Sequence, residues 1–211
     1  VSYTYKGFDG YAPIMSNLGA EGYLLHHELR PGSQHCQKGT PAFLEENFRL
    51  LSKLELKDQV LVRMDSGNDS ADTIQILRQS GHAFLVKRNI RQECKVKWLG
   101  HAKSQGAPDE TPREGKEIYY GTMEHYCPGG EKSTQSSLPC VYKVTERSID
   151  REGNKLLIHD IAVELYWTNL GESPQEVIDL YHDHGTSEQF HSEIKSDMGI
   201  ERFPSKHFEV N

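Results

Sequence analysis

Four residues near the end of the chain, Tyr181, His184, Glu188 and Lys195, are spaced so that a helix would carry them on one strip. At about 100° per residue, the three later side chains fall within about 60° of Tyr181. A carboxylate among a phenol, an imidazole and an ammonium group suits metal-dependent phosphoryl transfer. The carboxylate would hold a cation, and the other groups would hold phosphate oxygens. The same spacing also describes a polar helix face with incidental charges.

A further acid stands where a sheet would present it. Val60-Leu61-Val62-Arg63-Met64 reads as a short buried strand and runs directly into Asp65-Ser66-Gly67-Asn68-Asp69. In open α/β sheets, ligands bind beyond the carboxyl ends of the strands. Asp65 would therefore face a cleft from a rigid base. Alternatively it bonds to its own turn or caps the following helix, as Asp often does.

The elements around these acids follow from periodicity and punctuation. Residues 11–18 and 22–30 read as two strands joined by a turn at 19–22, with Tyr23, Leu24, Leu25 and Leu29 marking a buried strand. Thr40-Pro41 opens a helix to about Leu54, with Thr40 as cap and Phe43, Phe48, Leu51 and Leu54 as its apolar face. A second helix at 70–79 ends at Gly81, and 83–87 is again a strand. This alternation predicts an α/β sheet with covering helices. From about 90 to 168 the expected elements are strands only, at 94–99, 117–126, 141–148 and 156–168. Mobile polar loops are expected at about 103–115 and 128–138. Helix resumes after Ser173-Pro174 and runs toward Met198, with Gly185 as a point where it can be interrupted. The division expected is 1–89 as the first part of a core, 90–168 as a β-rich insertion, and 169–211 as the closing part of the core.

Composition narrows the function classes. The chain has 211 residues and 36% hydrophobic content, with a mean hydropathy of -0.68. That is enough apolar content for a core under a polar surface. No apolar run approaches the ~18 residues of a membrane span. The net charge of -7 argues against a general nucleic-acid coat, although acids gathered at a metal site would count toward it. Lys87, Arg88, Arg91, Lys95, Lys97, His101 and Lys103 form one local basic run, readable as a DNA contact or as a solvated strand edge. The four cysteines are scattered, and the spacing of Cys127, Cys140 and His125 fits no usual zinc site. Free thiols are the expectation.

Taken together, the motifs resemble the DDE transposases of bacterial insertion sequences. Tyr181-x2-His184-x3-Glu188-x6-Lys195 is similar to that family's Tyr-x2-Arg-x3-Glu-x6-Lys signature, with His184 in the place of Arg. Such a histidine binds phosphate only when protonated. Strand-Asp65-Ser66-Gly67 resembles the family's second acid, and Tyr166-Trp167-Thr168-Asn169-Leu170 its strand end before the signature helix. Phe190 and Ile194 match its apolar helix positions. The opening Tyr5-Lys6-Gly7 and Gly10-Tyr11-Ala12-Pro13 resemble the segment just after its first acid.

The resemblance implies a ribonuclease-H-like α/β core with a β-rich insertion between the second and third acids. It implies Asp65 and Glu188 as catalytic ligands of Mg²⁺ or Mn²⁺, and Tyr181, His184 and Lys195 as contacts to DNA or phosphate. The expected activity is cutting and joining DNA at mobile-element ends, in a bacterial cytoplasm at the nucleoid, by a protein that self-associates. A non-catalytic DNA-binding or assembly module and a hydrolytic ribonuclease-H-like nuclease are the rivals. The first acid of the family is expected upstream of Val1. Asp9 reads as a loop residue instead, so the 211 residues alone are expected to be inactive.

Overall fold

The computed structural model describes residues 2–4, 7, 9–56, 58–126, 137–183, 189–190, 193 and 205. The chain forms two units, one of Val1–Asp58 with His182–Asn211 and one of Gln59–Tyr181.

In the first unit, β1 (Ser2–Tyr3) pairs with β2 (Asp9–Gly10). β3 (Ile14–Leu18) and β4 (Tyr23–Glu28) form the expected antiparallel hairpin. α1 (Thr40–Leu51) follows and lays Phe43 against β4, its ring 4.9 Å from that of His26. Two expectations are corrected here. Tyr23 and Leu24 are exposed, at 68% and 45%; they open β4 beside the hairpin turn, whereas Phe43 of α1 packs farther along the strand at His26. Thr40 is the first helical residue, and the cap is Gly39 at φ 79°, a backbone conformation natural to glycine. The Thr40 hydroxyl instead donates to the Cys36 carbonyl at 2.7 Å. Leu54 lies beyond the helix and is 43% exposed.

The second unit is built on β5 (Leu61–Met64), α2 (Ala71–Ser80), β6 (Ala83–Arg88), α3 (Lys95–Gln105), β7 (Glu110–Arg113), β8 (Lys116–Tyr126), β9 (Ser137–Ile149), β10 (Lys155–Thr168) and α4 (Pro174–His182). Its strands form one six-stranded sheet in the order β5-β6-β10-β9-β8-β7. Only β5 and β6 are parallel; the remaining pairs are antiparallel. The strands after α3 thus extend the same sheet that carries Asp65.

Local chemistry explains the helices. Ser70 caps α2 by accepting from Thr73 N at 3.2 Å, and Gly81 ends it at φ 76°. α4 opens on a reciprocal cap. Ser173 N donates to Glu176 Oε2 at 3.0 Å, while Ser173 Oγ accepts from Glu176 N at 3.4 Å.

Segment 94–99 is a further correction. It lies in or just before α3, not in a strand. Lys-Val-Lys-Trp mimics a two-residue alternation, but the buried residues are Trp98, Leu99 and Ala102, a helical spacing, while Val96 is 63% exposed. The expected loop at 103–115 is also partly regular, since α3 reaches Gln105 and β7 occupies Glu110–Arg113. Of 128–138, only Ser137 and Leu138 are described, both in β9.

Register assigns the two faces of the sheet. Tyr166 pairs with Lys87 on one side and Val141 on the other, and that face carries α4 through a core of Leu85, Val141, Tyr166, Val177 and Ile178. The opposite face carries α3, where Trp98 packs 5.8 Å from the ring of Tyr142. Gly121, paired with Tyr142 across β8 and β9, leaves room for that ring. A Cβ at 121 would overlap the Tyr142 phenol, which is 2% exposed and cannot move away. Gly121→Ala is therefore expected to lower stability by about 1–3 kcal/mol, read by urea denaturation. An unchanged midpoint would show that Tyr142 repacks freely.

Candidate active site

Asp65 follows the last residue of β5 and caps a single 3₁₀ turn, Ser66–Asn68. Its Oδ1 accepts from Gly67 N at 3.1 Å and Asn68 Nδ2 at 2.8 Å. The residue is exposed. Of the two sequence readings, the bond of Asp65 to its own turn is the one observed. One oxygen serves the turn, while the other has no hydrogen-bond partner among the described residues. Such a hard anionic oxygen at an exposed strand end fits one ligand position of Mg²⁺. Among the described residues there is no group of three or more His, Cys, Asp or Glu side chains that could hold an ion.

Tyr181 lies in the last turn of α4, half-buried against the sheet face, its ring 4.8 Å from that of Tyr166. Burial, then the negative charges of Asp65 and Glu164, push its phenol above the ordinary value, against the pull of Arg63. Tyr181 therefore stays protonated near neutrality, a form that carries one O–H donor. His184, Glu188 and Lys195 lie outside the described residues. Asp9 is an exposed residue of the two-residue strand β2.

The structure adds neighbours to Tyr181 that spacing did not reveal. Lys87 Nζ stands 5.7 Å from the centre of its ring and 3.9 Å from Glu164 Oε2. Tyr166 donates its hydroxyl to the same Glu164 oxygen at 2.8 Å. Arg63, two residues before Asp65, donates to the Leu180 carbonyl at 2.8 Å and so fixes the end of α4. Two cations, two phenols and a carboxylate thus share the α4 face of β5, β6 and β10. A signal for one of them did exist: Arg63 is the single charged residue of the otherwise apolar β5.

The basic run does not form a strand edge. Arg88 is buried, ion-paired with Glu93 and stacked over the rings of Trp98 and Trp167. Arg91 pairs with Asp69, and Lys103 with Glu146. Lys95, Lys97, His101 and Lys103 belong to α3. Among the described residues, Cys36, Cys94 and Cys140 form no disulfide. Burial pushes the Cys140 thiol up to about 12. Cys127 lies outside the described residues.

Beyond the ladder, Thr168 and Asn169 stitch the end of β10 to the start of β6. Thr168 Oγ1 donates to the Phe84 carbonyl at 2.9 Å, and Asn169 Oδ1 accepts from Phe84 N at 2.9 Å. This Thr-Asn pair thereby holds the end of β10 against β6.

Among the described residues, no helix is long and apolar enough to cross a membrane. No curated protein matches the sequence. A family model described as transposase DDE domain group 1 matches residues 2–211. With nearly every residue matched, the chain belongs to the DDE transposase domain family.

Proposed function

We propose that the full-length transposase to which this chain belongs cuts and joins DNA at the ends of a bacterial insertion sequence, on a ribonuclease-H-like core of 1–89 and 169–211 with 90–168 as its β-rich insertion. The observation that carries this reading is Asp65: an exposed carboxylate at the end of a sheet strand, with one oxygen fixed by its turn and the other open, in a chain matched by the family model over residues 2–211.

Asp65 and Glu188 hold Mg²⁺ or Mn²⁺. When bound, such a cation activates the attacking oxygen and neutralises charge on the leaving one. The chain's own residues do the rest. Protonated Tyr181 donates to a phosphate oxygen, Lys195 supplies a positive charge, and His184 does so only when protonated. Lys87, held over Tyr181, keeps a second cation beside the phenol. The attacking group is first water, then the freed 3′-hydroxyl. The protein works on DNA in the bacterial cytoplasm at the nucleoid, as a self-associated assembly.

Strand joining tests this reading. A pre-cut duplex with a free 3′-hydroxyl, incubated with the transposase, Mg²⁺ and supercoiled plasmid, is expected to yield covalent plasmid–duplex products. Glu188→Gln should remove them. Nicking without joining would instead mark a hydrolytic nuclease. DNA retention with neither product would mark a binding or assembly module.

A further inference from the structure

The turn that presents Asp65 is a single 3₁₀ turn, a geometry with weak hydrogen bonds of its own. Both donors that orient the Asp65 carboxylate, Gly67 N and Asn68 Nδ2, belong to it. Something outside the turn must keep them in place, and four residues after Asp65 the sequence supplies it. Asp69 is a carboxylate only 1% exposed. Its Oδ1 accepts from Trp167 Nε1 at 2.9 Å. Its Oδ2 accepts from Asn89 N at 2.9 Å and from an Arg91 guanidinium nitrogen at 3.2 Å. The same Arg91 nitrogen also donates to the Asp69 backbone carbonyl at 3.0 Å.

The anchor reaches back to the turn. Asp69 N donates to the Ser66 carbonyl at 3.4 Å, and Asn89 Nδ2 donates to that same carbonyl at 3.4 Å. Trp167 belongs to β10, and Asn89 and Arg91 lie just after β6, so the turn is tied to two strands of the sheet. Trp167 is itself 0% exposed and covered by the Arg88 guanidinium, 5.0 Å from its ring. A buried carboxylate is costly unless every lone pair is matched to a donor. Here each oxygen accepts at least one hydrogen bond. An amide at this position would have to turn its NH₂ group toward one of these donors.

We infer that Asp69 is a positioning residue for Asp65: a buried carboxylate that locks the Ser66–Asn68 turn to β6 and β10 and thereby fixes the direction of the Asp65 carboxylate. This rests on the reading that Asp65 is a metal-holding acid. Residues that orient a metal ligand without touching the ion characteristically change its affinity when altered. A residue that merely supports the fold would lower the folded fraction and leave the affinity of folded molecules unchanged.

The test is Mn²⁺ binding to the purified transposase, followed by the loss of the free-ion electron paramagnetic resonance signal. Half-saturation is read beside thermal unfolding. Asp65→Asn should abolish or strongly weaken binding. Asp69→Asn should raise half-saturation by about 10-fold. Val144→Ala, a core truncation in β9 away from the turn, should lower the melting temperature and leave half-saturation at the wild-type value. Should Asp69→Asn fail to fold, Arg91→Ala decides. Its side chain is 43% exposed, and removal should raise half-saturation in the same direction. Loss of binding in Asp65→Asn with wild-type half-saturation in Asp69→Asn, or in Arg91→Ala if that variant decides, would overturn the positioning role and leave Asp65 standing. Wild-type binding by Asp65→Asn would overturn both, since there would be no ligand to position.

Discussion

Asp65→Asn is expected to reduce metal-dependent strand cleavage by the transposase on the order of 10³-fold, since a catalytic cation contributes several kcal/mol of transition-state stabilisation. The substitution separates chemistry from folding. An asparagine Oδ1 can still accept from Gly67 N, so the 3₁₀ turn keeps its cap. The side chain is exposed, so little packing changes. What disappears is the negative charge on the second oxygen. Single-turnover cleavage of a supercoiled plasmid measures the effect, with urea denaturation as the control. Cleavage within tenfold of wild type would remove Asp65 from the chemistry.

Trp167→Ala is expected to have the largest effect on folding. The indole is completely buried, and deleting such a ring costs about 3–5 kcal/mol through lost burial and the cavity left behind. The change also strips Asp69 of its Nε1 donor, leaving a buried carboxylate short of one bond, at about 1–3 kcal/mol. Arg88 loses one of the two rings it stacks on. Against a total stability of about 5–15 kcal/mol, the variant should be largely unfolded or precipitate at 37 °C. Trp167→Phe keeps most of the volume and should lose mainly the hydrogen-bond share. Circular dichroism during urea titration reads both variants. A Trp167→Ala midpoint close to wild type would contradict the packing described for this face.

Several elements were legible because local chemistry decided them. The apolar run Leu61–Met64 ends at Asp65-Ser66-Gly67, and β5 ends there. Ser70 and Gly81 bracket α2 as capping rules require. Ser173, Pro174 and Glu176 open α4. α3 was not legible, because Lys95-Val96-Lys97-Trp98 alternates as a strand would and only tertiary packing shows that Trp98, Leu99 and Ala102 are the buried set.

Much of the candidate site was hidden for a different reason. Lys87 meets Glu164 and Tyr181 only because β6 pairs with β10 and α4 lies over both, and no local pattern encodes that register. Asp69 read as a turn residue beside Asp65. Its burial against Trp167 depends on a strand 98 positions away. The basic run was visible in sequence, but its division into a buried Arg88, a tethered Arg91 and the lysines of α3 follows from where β6 ends.

The most direct measurement of the central claim is an anomalous-scattering map from crystals of the transposase grown with Mn²⁺. The account predicts a manganese peak bound by the Asp65 carboxylate oxygen that does not serve the turn, at the ~2.1 Å expected for a small divalent cation, with the Glu188 carboxylate on the same ion. Asp65 and Glu188 carboxylates farther apart than about 10 Å, too far for bonds of that length to a shared ion, with no manganese at Asp65, would contradict it.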